Sequence, residues 1–190
     1  MGYFRELPNV SAVSLLPGRT RNDQRVLVKN IFKRAKLRSD IDIATTAFDF
    51  RVIKEGQRPD TLAQDLYNDP ELDWVILITN NIINVRNEWP LSNRDLHNYM
   101  LEKYGSEEAL YQVHHYETFE VRDEQNRTVL ESGLEVDEDF TLTYTSLGGQ
   151  RVVVNNASGP VNNLDYENKV NDAKRIIRVL KPQFLSGFIS

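Results

Sequence analysis

The sequence contains no cysteine among its 190 residues. Disulfide bonds, Fe–S clusters, cysteine zinc sites and thiol catalysis are therefore excluded. The first residues lack the basic and then apolar segments of a secretory signal. The longest clearly apolar run, residues 74–78, is too short to span a bilayer. We therefore expect a protein of a reducing cytoplasm, or of something assembled there, with no membrane partner.

Catalytic motifs are also missing, since the chain has no glycine-rich phosphate loop, no GxSxG and no HExxH. The densest candidate cluster is His114, His115 and Glu117. On a strand His115 and Glu117 share one face and His114 points the other way, so at most two ligands converge. A metal site needs three or four ligands. We predict no enzymatic activity, no metal and no cofactor.

Charge is spread unevenly, although the net charge is only −5. Residues 1–38 contain nine basic and two acidic residues, which gives +7. Residues 102–139 contain twelve acidic and three basic residues, which gives −9. Segments of opposite sign favour pairing, either within the chain or head to tail between copies. Few aromatic residues lie among the basic ones, so we do not expect nucleic-acid binding.

Hydropathy patterns predict an α+β protein with three segments. They are a basic arm, a helical core segment, and a segment of hairpins with a C-terminal helix: residues 1–49, 50–104 and 105–190. The arm contains proline, glycine and polar residues and has little apolar content of its own. Within it, residues 26–37 fit either a strand followed by a helix or one short amphipathic helix.

The middle segment has the order strand, helix, helix. A strand at residues 50–53 precedes a helix that begins at Thr61 with a capping-box pattern and closes at Asn68. Asp69 caps a second helix. Its residues 74–78 are apolar on every side, which places them centrally in the core. A strand is the alternative there, and the Asp-Pro start favours the helix.

The residues that follow, 82–91, are expected to continue the core as irregular or short-strand chain around Pro90. Ser92 then begins another helix, which Gly105 ends. Polar and glycine residues of this kind are the usual boundaries of a helix in a folded domain.

In the last segment the apolar residues begin to recur at every second position, as in a strand. Residues 116–130 and 140–154 each predict a hairpin, and residues 155–163 predict turns. Apolar residues from 166 to 180 recur at helical spacing and predict an amphipathic helix of about four turns, halted by Pro182. The tail after this helix contains four large apolar residues, Phe184, Leu185, Phe188 and Ile189.

Residues 50–91 resemble a LysM domain. Gly56 and residues 60–63 match the Gly-Asp-Thr-Leu start of its first helix, and Asn81 and Pro90 match its later asparagine and proline. The resemblance implies a strand–helix–helix–strand fold and, commonly, binding of N-acetylglucosamine polymers. The LysM-like core would then contain Thr61, Leu62, Leu66, Tyr67, Trp74, Ile78 and Trp89.

Two departures from the LysM pattern lie beside the loops that form its sugar-binding groove. Residues 57–59 separate Gly56 from Asp60, and a helix starts after Pro90 where LysM has its second strand. We therefore expect no useful glycan binding, although a glycan-binding or glycan-cleaving module remains the alternative function.

A longer resemblance covers almost the whole chain. Eight motifs are similar to the LysM-like baseplate wedge protein family of contractile-tailed bacteriophages, especially its cyanophage-type members: residues 3–8 (YFRELP), 58–63 (RPDTLA), 72–77 (LDWVIL), 81–86 (NIINVR), 88–92 (EWPLS), 115–118 (HYET), 171–175 (NDAKR) and 180–182 (LKP). The resemblance implies a non-catalytic subunit of the inner baseplate, present in each of six wedges, that clamps neighbouring wedges into a ring. It also implies a virion protein, assembled in the host cytoplasm with other wedge proteins as partners.

Both ends of the chain are predicted to reach partner proteins or neighbouring copies. Each carries large apolar side chains, and ordering such segments costs roughly 1–2 kcal/mol per residue, so each needs a surface to lie on. Arginines in the arm would add attraction to an acidic surface. The candidate interface residues are Tyr3, Phe4, Leu7, Arg19, Arg21, Arg25, Phe184, Leu185, Phe188 and Ile189.

Overall fold

The computed structural model describes residues 7–13, 25–33 and 45–186, and its fold is α+β, as predicted. Contacts divide the chain into two compact units. Unit 1 comprises the described residues within Met1–Ser92 and Lys174–Ser190, and unit 2 comprises Asn93–Ala173. This division differs from the three predicted segments, because the last strand of the chain pairs inside unit 1.

Unit 1 contains two separate two-stranded sheets and three helices among its described residues. Their bounds are β1 (Asn9–Val13), β2 (Arg25–Lys29), β3 (Phe48–Val52), α1 (Pro59–Tyr67), α2 (Asp73–Thr79), α3 (Val85–Glu88) and β11 (Ile176–Leu180). Short 3-10 turns cover Thr45–Ala47, Pro70–Leu72 and Pro182–Phe184.

The β3–β11 sheet joins two distant parts of the chain. The strands run antiparallel, with Phe48 opposite Leu180 and Val52 opposite Ile176. Helix α2 packs against β11 and against α1, so the sheet and the two helices enclose one apolar core. Its buried members are Ala47, Phe48, Ile53, Leu62, Ala63, Leu72, Trp74, Val75, Ile76, Ile78, Trp89, Ile177, Val179 and Leu180.

Helix α1 begins two residues before Thr61, which corrects the predicted start. Arg58 is the N-cap residue and Pro59 occupies the first helical position, where its missing N–H costs nothing. The Thr61 hydroxyl oxygen accepts a hydrogen bond from the Arg58 N–H at 3.1 Å. The predicted end is confirmed, because Asn68 adopts the left-handed conformation with φ of 57°.

Residues 74–78 are helical, which decides the alternative that the sequence left open. The carboxylate of Asp69 accepts a hydrogen bond from the Glu71 N–H at 2.9 Å, so Asp69 caps the turn that leads into α2. Trp74, Val75 and Ile76 are all buried. The helix can be apolar on nearly every side because it lies inside unit 1.

The prediction for residues 82–91 is wrong in part. Residues Val85–Glu88 form a helical turn, and Ile83 and Val85 are exposed. Trp89 is buried, and its indole N–H donates a hydrogen bond to the Gln57 carbonyl at 2.8 Å. That bond satisfies the one polar group of the ring and ties the end of this stretch to the loop before α1.

Unit 2 contains a three-stranded antiparallel sheet with strand order β10-β4-β7. Four other strands form two separate hairpins, β5–β6 and β8–β9. The element bounds are α4 (Asn93–Tyr104), α5 (Glu107–Leu110), β4 (Val113–Thr118), β5 (Val121–Arg122), β6 (Thr128–Leu130), β7 (Glu135–Val136), β8 (Leu142–Thr145), β9 (Arg151–Val154), β10 (Ser158–Asn162) and α6 (Asn163–Ala173). The predicted second hairpin is confirmed as β8–β9.

Two predictions for unit 2 need correction. The first predicted hairpin is reduced to β5–β6, because β4 pairs with β10 and β7 instead. The segment predicted as turns contains β10. Glycine signals a turn in sequence, but Gly159 serves here to let an aromatic ring approach the strand. A Cβ at Gly159 would lie 2.4 Å from Cζ of Phe119, so no larger residue fits without movement of that ring.

The predicted C-terminal helix is correct in its first part and wrong in its second. Helix α6 ends at Ala173, and Ile176–Leu180 form β11. Three of those five residues, Ile176, Ile177 and Val179, are β-branched and suit a strand. Pairing with β3 supplies the ladder of hydrogen bonds and buries Val179 and Leu180, which outweighs the local helical pattern.

The helices of unit 2 meet at a buried carboxylate. Glu167 of α6 is 4% exposed and accepts hydrogen bonds from the Lys103 ammonium at 2.5 Å and the Tyr104 hydroxyl at 2.9 Å. The bond to Glu167 raises the pKa of Lys103 above its ordinary value. A buried charge needs such partners, so these contacts fix α4 against α6.

No helix among the described residues combines the length and the apolar character that crossing a membrane would need.

We predict that Trp74→Ala destabilises unit 1 by roughly 3–5 kcal/mol, because it removes a large side chain from a closed core. Trp74 is 8% exposed. The measurement is the denaturant midpoint of unfolding, followed by circular dichroism. Phe50→Ala is the matched control, since Phe50 is an aromatic residue of the same unit that is 74% exposed. The control should change stability by no more than about 0.5 kcal/mol. Equal effects of the two substitutions would contradict the core assignment.

Candidate interaction surfaces

The β1–β2 ribbon has one apolar face and one mixed face that carries its basic residues. Strands alternate their side chains, so the antiparallel register puts one set of four apolar residues together, Val10, Ala12, Val26 and Val28. Val10 and Val28 remain about two-fifths exposed, at 39% and 40%. The opposite face carries Asn9, Ser11, Val13, Arg25, Leu27 and Lys29. A two-stranded ribbon is at best marginally stable alone, so its faces favour contact with something else.

The turn after β2 presents the most exposed large apolar side chain among the described residues. Phe32 is 94% exposed and Ile31 is 64% exposed. Lys33 follows, so the segment from Arg25 to Lys33 contains three basic and no acidic residues. The Lys29 ammonium donates a hydrogen bond to the Leu7 carbonyl at 2.9 Å, which ties the chain before β1 to the ribbon.

The N-terminal candidate residues divide into two groups. Arg25 is exposed on the ribbon, whereas Leu7 is 4% exposed and is covered within the chain rather than open to a partner. The other members, Tyr3, Phe4, Arg19 and Arg21, lie outside the described residues.

The C-terminal candidates divide in the same way. Phe184 is 42% exposed, and Leu185 is partly buried against the core of unit 1. The Lys181 N–H donates a hydrogen bond to the Ala47 carbonyl at 3.0 Å, so the chain before the tail is held to this unit. Phe188 and Ile189 lie outside the described residues.

The sequence reasoning missed an exposed apolar surface at the Val52–Ile176 end of the β3–β11 sheet. Phe50, Val52 and Ile176 are 74%, 67% and 65% exposed. Val52 and Ile176 are directly opposite each other, and Phe50 lies two residues along from Val52 on the same face. The alternation of β3 in the sequence puts Phe50 and Val52 on one face. Ile176 joins them only because β11 pairs with β3, which the sequence did not predict.

An acidic segment lies on unit 2. Residues 131–139 contain five acidic residues and no basic one, and all five are exposed: Glu131, Glu135, Asp137, Glu138 and Asp139. Leu134, among them, is 50% exposed. The segment includes β7, the edge strand of the three-stranded sheet. The sequence correctly placed acidic charge here, but its exposure follows from the fold.

Most residues of the predicted LysM-like core are in the core of unit 1, which includes Leu62, Trp74, Ile78 and Trp89, with Leu66 and Tyr67 packed partly buried against them. Thr61 is exposed, so it is a helix-start residue and not a core residue. Burial raises the pKa of Tyr67 to about 12, although its hydroxyl donates a hydrogen bond to the Leu180 carbonyl at 2.9 Å.

A cleft of about 400 Å³ adjoins the start of α1 and α2. Its lining consists of Arg58, Pro59, Asp60, Asp73, Leu77, Val85 and Trp89. Burial raises the pKa of Asp73, and the Asp60 carboxylate adds to this increase. The aromatic residue of the lining, Trp89, is 6% exposed. The cleft therefore offers a guanidinium, two carboxylates and aliphatic walls, but no exposed aromatic face in its lining on which a sugar ring would stack.

The histidine pair lies in a polar cluster between β4 and α6. Ring nitrogens Nδ1 of His114 and His115 are 2.8 Å apart, and His115 Nε2 is 2.9 Å from a Glu117 carboxylate oxygen. His114 stacks on Tyr166 with ring centroids 3.9 Å apart. Lys169 donates to both Glu117 carboxylate oxygens, at 2.6 and 2.7 Å.

No group of three metal-ligating side chains converges in the part of the chain that the structure describes. The cluster around Glu117 instead joins a strand to a helix. The Lys169 ammonium and, after it, the His115 ring hold the pKa of Glu117 below its ordinary value.

We predict that Lys169→Met raises the pKa of Glu117, because it removes the strongest cause of the depression. The Glu117 contacts stabilise the folded protein above the ordinary carboxyl pKa of about 4.3, and this contribution is lost as the pH falls through the lower folded value. A carbon-13 NMR titration of the Glu117 carboxyl measures the change. Lys54→Met, a lysine substitution in unit 1, is the control. An unchanged titration in Lys169→Met would contradict the assignment.

The comparisons with known proteins agree with an assembly role more than with a catalytic one. A search of curated proteins finds no match to the chain. A protein-family model described as base plate wedge protein 53 matches residues 15–190, nearly the whole length of the chain and both units. A match of this extent includes β2 and the acidic segment, whereas β1 precedes it. The chain therefore belongs to the base plate wedge protein 53 family and is a structural component of a phage tail baseplate.

Proposed function

We propose that this protein clamps adjacent wedges of the inner baseplate while the wedges close into a ring. Membership of the base plate wedge family supports the baseplate part of this role. The observation that carries the clamping part is the β1–β2 ribbon with Phe32, which is 94% exposed. Large apolar side chains this far from a core favour contact with another protein.

Two compact units, each with its own exposed surface, suit a protein that joins neighbours. Unit 1 offers the ribbon and the exposed apolar surface around Phe50, Val52 and Ile176. Unit 2 offers the acidic segment 131–139. A clamp needs separate surfaces for separate partners, and surfaces of different chemical character favour different partners.

We further propose that unit 1 is LysM-like. Strand β3, helices α1 and α2, and strand β11 have the order strand, helix, helix, strand, and the two strands pair antiparallel. The second strand comes from the far end of the chain, so unit 2 is inserted before it. This insertion accounts for the helix that follows Pro90 in place of a second strand.

The copy number and the setting of the protein complete the proposal. We infer one copy in each of six wedges, other wedge proteins as partners, assembly in the host cytoplasm and a place in the virion tail baseplate. The role is non-enzymatic and involves neither nucleic acid nor membrane. An assembly subunit of this kind acts only through the surfaces it presents to its neighbours.

Glycan binding is the second candidate, because the cleft beside α1 lies next to the segment that resembles the LysM helix start. Asp60 and Asp73 line this cleft, and Trp89 is turned into the core. Carboxylates and a buried indole leave a sugar little to stack on. The cleft therefore favours the assembly role over the glycan-binding role.

We predict that Phe32→Ser leaves the protein folded and lowers its incorporation into baseplates. The substitution removes an apolar contact without opening a cavity, since Phe32 lies almost wholly in solvent. Complementation of a phage that lacks this protein, followed by electron microscopy of its tails, counts closed baseplates. Leu147→Ser is the control, because Leu147 is also an exposed apolar residue, at 67%. Normal baseplates with Phe32→Ser would contradict the clamping role of the ribbon.

We also predict no binding of N-acetylglucosamine oligomers to the purified protein. Isothermal titration calorimetry is the measurement, and a sugar-binding LysM domain titrated in parallel is the positive control. Binding at micromolar concentration would contradict this prediction and support the glycan-binding function.

A further inference from the structure

Strand β2 with the turn that follows it, residues 25–33, and the acidic segment have opposite charge and the same length. Residues 25–33 contain Arg25, Lys29 and Lys33 and no acid, whereas residues 131–139 contain five acids and no base. Each also exposes apolar side chains between its charges. Surfaces of this kind attract one another over several ångströms and then exclude water when they meet.

Both surfaces are exposed among the described residues. Phe32 is 94% exposed in unit 1, and Leu134 is 50% exposed in unit 2. The acidic residues are exposed as well. Lys169 is the nearby base of unit 2, and its charge is matched by Glu117. The acidic segment therefore keeps its negative charge available.

We propose that the ribbon of one copy docks on the acidic segment of a second copy. Arg25 and Lys33 face the carboxylates, while Leu27 and Phe32 pack near Leu134. Both segments also contain strands at the edge of their sheets among the described residues, β2 and β7. Exposed strand edges are sites where another chain adds backbone hydrogen bonds.

This contact is head to tail, because each copy uses a different surface from the one it meets. Such heterologous contacts generate closed rings or open chains and not two-fold dimers. The segments are short, so one contact is weak on its own and gains strength from the other contacts of an assembly. The inference goes beyond the proposed wedge contacts, since two copies can meet this way whether or not the ribbon also reaches another protein.

Analytical ultracentrifugation of the full chain tests the contact through a charge exchange. One variant, Arg25→Glu/Lys33→Glu, changes the charge of residues 25–33 from +3 to −1, and the other, Glu131→Lys/Asp137→Lys/Asp139→Lys, changes the charge of residues 131–139 from −5 to +1. The wild-type protein should associate as its concentration rises towards about 1 mM. Association should weaken at least tenfold between about 0.1 M and about 1 M salt, because the Debye length falls from about 10 Å to about 3 Å.

Each variant alone should stay monomeric, because its two surfaces then have the same charge. An equimolar mixture of the two should associate again, since the basic ribbon of one variant meets the acidic segment of the other. Lys54→Glu/Arg86→Glu and Glu102→Lys/Glu108→Lys/Glu124→Lys change the charge by the same amounts at other exposed positions and should associate like the wild type. Circular dichroism confirms that every variant is folded.

Three results would overturn the proposal. They are a wild-type protein that stays monomeric throughout, association that the five ribbon and segment substitutions leave unchanged, and folded variants whose mixture fails to associate. A contact within one chain belongs to the first result, because it leaves sedimentation independent of concentration. None of these results depends on baseplate assembly, so failure here is distinguishable from failure of the clamping role.

Discussion

The pairing of β3 with β11 is the interaction on which unit 1 depends. The two strands are far apart in the chain, and their antiparallel ladder runs from Phe48 opposite Leu180 to Val52 opposite Ile176. Closing so long a loop costs conformational entropy, which burial of Ile177, Val179 and Leu180 against α2 offsets. The pairing holds the ends of unit 1 together and leaves unit 2 as an insertion between them.

Two kinds of interaction stabilise the two units. Unit 1 relies on an apolar core in which α2 is buried on nearly every side. Unit 2 has fewer buried apolar residues and contains polar contacts instead, with Glu167 held by Lys103 and Tyr104, and Glu117 held by Lys169. Such ionic contacts position helices but stabilise less per contact than a close-packed core, because both partners lose hydration.

The proposed function relies on contact surfaces and not on a pocket. Exposed apolar residues lie on the ribbon and around Phe50 of the β3–β11 sheet as well as at other positions, and the acidic segment lies on unit 2. The cleft beside α1 is lined by Arg58, two carboxylates and aliphatic residues, and its tryptophan is buried. This distribution is typical of an assembly subunit, whose specificity comes from the charge and shape of contact surfaces.

The sequence alone determined local features and the family, because these depend on residue type and short spacing. It placed the cap at Asn68, the buried helix around Trp74, the β8–β9 hairpin and the segregation of charge. It did not determine the secondary structure of residues 176–180, whose spacing fits a helix as well as a strand. Tertiary structure decided that point, because only pairing with β3 makes the strand favourable. The same long-range pairing brought Ile176 beside Phe50 and Val52 and completed an exposed surface of which the local pattern of β3 contains only half.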